Sequence, residues 1–197
     1  MEGSRTTQNL LLAAGSGVRS GGEKLFWTYH GKPIIYHSVA NSLNANLRTI
    51  LVLGFRSAEL LSLIEELLPN PLLSVVINDH YEAGQGSSTK VGAQLLDRKK
   101  RFFISLADMP FIEPKHYHFL EQFSDFVLRP VVGEELGHPV LHDPSLIEII
   151  LKQDDSFTMR TLLQAYPMKK IAVDDPAYIQ DIDTLNHYKT LLSHGDR

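Results

Sequence analysis

The segment Leu12-Ala13-Ala14-Gly15-Ser16-Gly17-Val18-Arg19-Ser20-Gly21-Gly22-Glu23-Lys24 puts four glycines, an arginine and a lysine into one short stretch. Glycines let successive backbone N–H groups converge on an anion with no Cβ in the way, and such nests bind phosphate. Gly15, Ser16 and Gly17 are the candidate cradle, and Arg19 and Lys24 add fixed positive charge to the same spot. The chemistry this suits is the holding of a polyphosphate and the neutralisation of charge that develops on it. Asp108, in Ala107-Asp108-Met109-Pro110, follows directly on an apolar run. Magnesium prefers one or two carboxylates together with phosphate oxygens and water, so Asp108 is the first-choice Mg²⁺ ligand, with a turn-capping Asp as the alternative. Asp181 and Asp183 stand two apart before an expected helix; the pair suits helix capping, the favoured reading, or a second metal carboxylate, for which Asp183 is the candidate.

Two other phosphate loops fail on this segment. A P-loop needs Lys then Ser or Thr after its second glycine, whereas Glu23 follows Gly22. A dinucleotide fingerprint needs a third glycine where Ser20 stands and an acidic residue after the second strand, where Gly54-Phe55-Arg56 stands instead. A nicotinamide-dependent oxidoreductase is therefore disfavoured. A serine hydrolase lacks its Gly-x-Ser-x-Gly elbow. Nine histidines invite a zinc reading, but the chain has no cysteine and no His-Glu-x-x-His, and His116 and His118, two apart on an expected helix, face different ways.

The elements that must position these residues alternate. Leu10 to Ala14 reads as a buried strand feeding the glycine loop, and Thr49–Gly54, Leu73–Ile77 and Arg101–Ala107 as further strands. Between them, helices are expected from Pro33 as first helical residue to the Asn44–Asn46 turn, over Ser57–Leu68 with Ser57 as N-cap, over Ser87–Asp97 and over Pro114–Phe123. Strands at 126–132, 138–141 and 169–173 and helices at 144–151, 159–166 and 184–192 follow less regularly. Such βαβα order predicts a three-layer αβα sandwich on a mostly parallel sheet, with ligands at the carboxyl ends of the strands.

A chain of 197 residues suits one domain spanning 1–197. With 43% hydrophobic and 21% charged residues it matches soluble globular composition. A formal net charge of -4 gives no global field for a nucleic-acid backbone, and aromatic residues are not interleaved with basic ones, so nucleic-acid binding is not expected. Lys99-Lys100-Arg101 reads as a solvated helix end. No apolar run spans a bilayer, and the polar opening Met1–Gln8 has no signal-peptide centre, so no membrane association and a cytoplasmic location are expected.

The pattern LAAGxGxRxGxxK resembles the MobA-like nucleotidyltransferase family, molybdenum cofactor cytidylyltransferases of the MocA type above all. Further family-like segments follow in order: Gly31-Lys32-Pro33, Glu82 to Ser88, Leu106 to Pro110, Gly137-His138-Pro139-Val140 and Asp181 to Thr184. The resemblance implies a GT-A-like, nucleotide-diphospho-sugar transferase fold and the Mg²⁺-dependent transfer of a nucleoside monophosphate from an NTP to a phosphorylated acceptor, molybdopterin foremost, with release of pyrophosphate. A molybdenum enzyme is the partner it implies. Ala14 in Leu-Ala-Ala-Gly points to CTP over GTP. By the same resemblance Leu12, Ala13 and the Gly84–Ser88 loop (Gly86, Ser87 and Ser88 among them) meet base and ribose with Asn78 near, while Arg19 and Lys24 stabilise the leaving pyrophosphate. His138 is a candidate substrate contact or a turn histidine.

The chain departs from the pattern at Gln153-Asp154-Asp155-Ser156-Phe157-Thr158-Met159-Arg160, where MocA-like enzymes carry Gly-Asp-x-Gly-Ala-Arg; Arg160 is the candidate counterpart of that arginine. The alternatives are a sugar-phosphate or methylerythritol-type nucleotidyltransferase, which usually has Pro-Lys where Glu23-Lys24 stands, and a non-catalytic nucleotide-binding partner of a molybdoenzyme.

Overall fold

The structure, a computed structural model, describes residues 7–17, 21–182 and 188. Its strands are β1 (Gln8–Ala13), β2 (Thr28–Tyr29), β3 (Lys32–Pro33), β4 (Arg48–Leu53), β5 (Leu73–Ile77), β6 (Phe102–Leu106), β7 (Val127–Val132), β8 (Glu135–Leu136), β9 (Val140–His142) and β10 (Lys169–Ala172). Its α-helices are α1 (Ile34–Asn44), α2 (Ser57–Leu63), α3 (Gln85–Ala93), α4 (Pro114–Glu121), α5 (Leu146–Leu151) and α6 (Met159–Leu162). The main sheet runs β10-β7-β9-β6-β1-β4-β5, with β8 beside β7. β6, β1, β4 and β5 are mutually parallel, while β9 runs antiparallel to both β6 and β7.

The central parallel strands β1, β4 and β6 are mainly apolar because helices cover both of their faces. Side chains alternate: Leu10, Leu12, Ile50 and Val52 pack with Ala93, Ile147 and Ile150 from α3 and α5. Leu11, Ala13, Leu51 and Leu53 pack on the opposite face with Ile35, Val39 and Leu60 from α1 and α2. Tyr117 and Leu120 of α4 cover Phe103, Leu128 and Leu141 farther along. This is the three-layer sandwich. Among the described residues no helix is long and apolar enough to cross a membrane.

Three local expectations are corrected. Pro33 is not helical: it pairs with Thr28 across the small β2–β3 hairpin and precedes α1 with extended backbone (φ -61°, ψ 152°). His30 and Gly31 turn that hairpin with positive φ of 44° and 75°, the geometry of a tight two-residue loop. Ser57 does not cap α2: Arg56 holds that place in a left-handed conformation, φ 52°, and its guanidinium grips the Glu59 carboxylate in the first turn. α3 begins at Gln85, earlier than Ser87, because Gly84 with φ 111° makes the turn into it. The helix expected at 184–192 lies, but for Tyr188, outside the described residues.

A buried polar network ties the layers beneath the site. Asn9 Nδ2 donates to Ser42 Oγ at 2.8 Å, Ser105 Oγ donates to Asn9 Oδ1 at 2.7 Å, and Tyr117 Oη donates to Ser105 Oγ at 3.2 Å. Burial pushes the Tyr117 phenol up to about 12, so it stays a neutral donor. Removing one member strands buried partners, so Asn9→Ala is expected to cost about 1–3 kcal/mol in chemical denaturation. An unchanged midpoint would mean that the hydroxyls re-pair among themselves.

Candidate active site

The chain passes from β1 to β4 and β5 on one side of the sheet, then returns to place β6 on the other side of β1. That reversal opens a crevice at the carboxyl ends of β1 and β6, where open α/β sheets bind ligands. The glycine loop leaves β1 there, and Asp108 leaves β6 directly opposite. The main chain around Asp108 is pinned on three sides: Ala107 N–H donates to Leu12 O at 3.0 Å, Ser38 Oγ donates to Ala107 O at 2.8 Å, and Ile182 N–H donates to Asp108 O at 3.0 Å.

Lys24 opens a 3₁₀ turn, Lys24–Phe26, and its ammonium forms an ion pair with Asp108 Oδ2. Both side chains are mostly buried. The other carboxylate oxygen, Oδ1, is buried and has no hydrogen-bond partner among the described residues. A buried carboxylate oxygen left without a donor is costly, and a cation or a ligand's donor relieves it. Gly15 supports the same conclusion from the other wall. A Cβ built there meets nothing within 4 Å and its φ is not positive, so the fold itself does not require glycine. The requirement that remains is close approach of a ligand to the backbone.

Leu12, Ala13, Ala14, Gly15, Ser16, Gly17, Lys24, Ser88 and Asp108 all line one cavity of about 370 Å³. Leu25, Tyr81, Glu82, Gly84, Gln85 and Leu106 complete it. Tyr81 and Leu25 were not singled out from the sequence; their signal was an aromatic just beyond β5 and an apolar residue beside Lys24. Asn78, Gly86 and Ser87 stand behind the wall. Asn78 Nδ2 donates to Ser87 Oγ at 2.9 Å and to Ser88 Oγ at 3.0 Å, so it acts on the cavity through Ser88. Gly86 packs on the Phe157 carbonyl. Arg19 and Asp183 lie outside the described residues.

The far end of the glycine loop is anchored from β4. Gly17 has φ 54°, Gly22 N–H donates to Gly17 O at 3.0 Å, and Phe55 N–H donates to Ala14 O at 3.1 Å. Arg56 pairs with Glu23 at 2.6 Å and lies 3.9 Å over the Phe26 ring. Glu23, the residue that breaks the P-loop pattern, is thus an anchor for the turn that carries Lys24.

A second cavity of about 380 Å³ adjoins the first, with Gln85 common to both, and is lined by Arg129, His138, His142 and Arg160 among others. His138 follows β8, is joined to Pro139 by a cis peptide, and is partly buried, with its ring Nδ1 out of reach of solvent. Burial, with the nearby Arg129 charge, pushes its imidazole down to about 4. Elsewhere His116 is buried and held by Asp175 at 2.9 Å, while His118 reaches Ala45 O from the solvent side of α4. Among the described residues no group of three or more His, Asp or Glu is arranged to hold a metal.

Comparison with known proteins fits this geometry. The model of the MobA-like NTP transferase domain matches residues 9–171. The chain is 24% identical over 182 residues to the molybdenum cofactor cytidylyltransferase of Escherichia coli, covering 92% of this chain and 93% of that protein. It is 30% identical over 122 residues to the bifunctional protein GlmU of Dichelobacter nodosus, covering 60% of this chain but only 25% of that longer protein. Among solved structures, Rv0371c of Mycobacterium tuberculosis superposes with a TM-score of 0.81 at 18% identity, over 97% of this chain and 100% of that one. The same protein solved in complex with manganese gives 0.73 at 17% identity, over 96% and 99% of the two chains. The fold is that of the nucleotide-diphospho-sugar transferases, and the chain belongs to the MobA-like NTP transferase family of nucleotidyltransferases.

Proposed function

We propose that the protein transfers a nucleoside monophosphate from an NTP, CTP by preference, to a phosphorylated acceptor with release of pyrophosphate, and that the acceptor is molybdopterin or a close relative. The observation that carries the reading is the pairing of Lys24 with Asp108, whose second oxygen is buried and unpartnered, across a cavity from a glycine loop whose Gly15 the fold does not need. The CTP preference rests on Ala14, and the acceptor on the near full-length match to the E. coli cytidylyltransferase. A molybdoenzyme that receives the product is the partner consistent with it, in the cytoplasm.

The donor set fits Mg²⁺: Asp108 would hold it, with Asp183, two residues beyond Asp181, as the second carboxylate. Its contribution when bound is positive charge beside the phosphate oxygens. The chain does the rest by positioning. Backbone N–H groups of Gly15, Ser16 and Gly17 orient the triphosphate, and Arg19 and Lys24 offset the charge of the departing pyrophosphate. An acceptor phosphate oxygen attacks the α-phosphorus; that P–O bond forms as the α–β bridge breaks, and the electron pair leaves with pyrophosphate. The attacking oxygen is already anionic, so no general base is required.

The test is thermal unfolding with Mg²⁺ and each of CTP, GTP, ATP and UTP. A ligand at about 100 times its Kd adds roughly 2.7 kcal/mol, which is about 5–10 °C for a chain of this size. CTP should give the largest shift. Gly15→Ala should unfold within about 2 °C of the unsubstituted protein without nucleotide, yet lose most of the CTP shift, because the added methyl occupies only ligand space. A dominant GTP shift would transfer the donor assignment to guanine; no shift with any NTP would end the transferase reading.

A further inference from the structure

The main sheet ends in β10 on one side and β5 on the other, and the two edges differ in kind. An open edge presents a row of N–H and C=O groups that another strand can pair with, and folded chains guard it with charge, proline or a bulge. β10 is guarded: two of its four residues are Lys169 and Lys170, both exposed, and Lys169 pairs with Asp125 at 3.3 Å. β5 has none of these devices. It reads Leu73-Ser74-Val75-Val76-Ile77, with no charge and no proline, and pairs with β4 in unbroken register from Thr49↔Leu73 to Leu53↔Ile77. Four of its five side chains are apolar, yet none is fully buried, and Ile77 is 45% exposed.

The groups on offer follow from the ladder. Thr49 N–H donates to Leu72 O and Asn78 N–H donates to Leu53 O, each at 2.8 Å. Successive residues of a strand turn their N–H and C=O to opposite edges, so Ser74 and Val76 bond β4 while Leu73, Val75 and Ile77 face outward. Among the described residues no strand lies on that side. Leu73 N–H is spent on Asn70 O at 3.0 Å, which leaves Val75 and Ile77 as outward donors and Leu73, Val75 and Ile77 as outward acceptors.

That set is self-complementary about Val75. A second copy laid antiparallel along the edge, with the two-fold axis at Val75, exchanges both N–H···O bonds between the two Val75 residues and sets Ile77 N–H of each copy on Leu73 O of the other. The spent Leu73 donor leaves unpaired only the Ile77 carbonyl, at the exposed rim of the strand. The side chains agree: Val75 faces Val75 and Leu73 faces Ile77, and no charge in the strand meets its like across the axis. Leu68, 38% exposed in the turn before β5, stands at the end to which the axis brings Ile77 of the other copy. Each copy thus supplies the apolar cover that the other lacks, which assigns the edge to a second copy of this chain and not to a foreign strand.

We propose that the protein forms a two-fold dimer by antiparallel pairing of β5, joining two sheets into one across Val75. The pairing does not rest on the transferase reading, and it closes after one step because each copy has one such edge. Sedimentation velocity over a wide concentration range should show a reversible monomer–dimer equilibrium with a Kd on the order of 10 µM. Amide exchange, labelled at low and high concentration and read by NMR, locates the surface. Val75 and Ile77 should exchange fast in the dilute sample and slowly in the concentrated one, while Ser74 and Val76, bonded to β4, stay protected in both. Val75→Lys and Val75→Glu each set like charges opposite one another at the axis and should raise the dimer Kd about tenfold or more, and an equimolar mixture of the two should restore the dimer. Restoration also shows that both variants fold. Ile77→Lys changes an exposed side chain, carries no such folding risk, and should weaken the dimer severalfold. A monomer at every concentration, a dimer whose Val75 and Ile77 amides exchange alike in both samples, a dimer that survives Val75→Lys, or growth beyond the dimer would overturn the proposal.

Discussion

Asp108→Asn is expected to lower turnover by about 10³-fold while leaving the unfolding temperature of the free protein nearly unchanged. The side chain keeps its size, so the backbone ties through Ala107 and Ile182 persist. What is lost is the negative charge that pairs with Lys24 and, on the proposed mechanism, the oxygen that holds Mg²⁺. Removing a single donor from a preorganised electrostatic site typically costs about 10²–10³ in kcat, and here the metal and the Lys24 geometry are both affected. The measurement is pyrophosphate release at saturating CTP and acceptor, with Mg²⁺ titrated. Raising Mg²⁺ should recover little, because an amide oxygen is a poor substitute for a carboxylate. Turnover within about tenfold of the unsubstituted enzyme would remove Asp108 from the metal site.

The parallel half of the fold is legible in the residues because its physics is local. β1, β4 and β6 are covered on both faces, so each reads as a mainly apolar run, and each is followed within a residue or two by a small or polar residue where the crevice begins. Asp108 stood out for the same reason: a lone carboxylate after such a run has nowhere to go but the edge of the sheet. Short or mixed elements gave no such signal. β2 and β3 have two residues each, too few for any periodicity. β9 ends in His142, a buried histidine whose burial depends on stacking with Phe102 at 5.0 Å, a contact made across the sheet.

The site was legible only along the chain, not through it. Residues that share a loop, Leu12 to Gly17, came out together. Asn78 is placed near the ligand by the family resemblance alone, and its amide is spent on Ser87, Ser88 and the His80 N–H. The pairing of Arg129 with Arg160 crosses from a strand to a short helix far along the chain, and nothing in either local sequence announces the other. Long-range electrostatic pairs of this kind need the tertiary structure to be seen.

Gly86→Val is expected to destabilise the protein by about 3 kcal/mol or more, a fall of roughly 6–12 °C, and to damage both cavities at once. A Cβ at Gly86 would lie 1.9 Å from the Phe157 carbonyl oxygen and 2.9 Å from the Phe157 carbonyl carbon, and backbone on both sides cannot yield as a flexible side chain would. Residue 86 lies in the first turn of α3, next to Gln85, the residue common to the two cavities. The segment it would displace is clipped onto α3 a turn later, where Lys90 Nζ donates to Gln153 O at 2.7 Å and pairs with Asp155 at 3.0 Å. That segment leads into Thr158, whose Oγ1 caps the short helix carrying Arg160. Displacing Phe157 therefore moves Arg160 as well as the Gln85 wall, and the CTP response should fall along with the unfolding temperature. Lys90→Met separates the two causes: it releases the clip without adding volume, so it should keep most of the CTP response while costing less than about 1 kcal/mol, as expected for a partly exposed ion pair. If Gly86→Val unfolds where the unsubstituted protein does, the close contact of α3 with Phe157 is not present in solution.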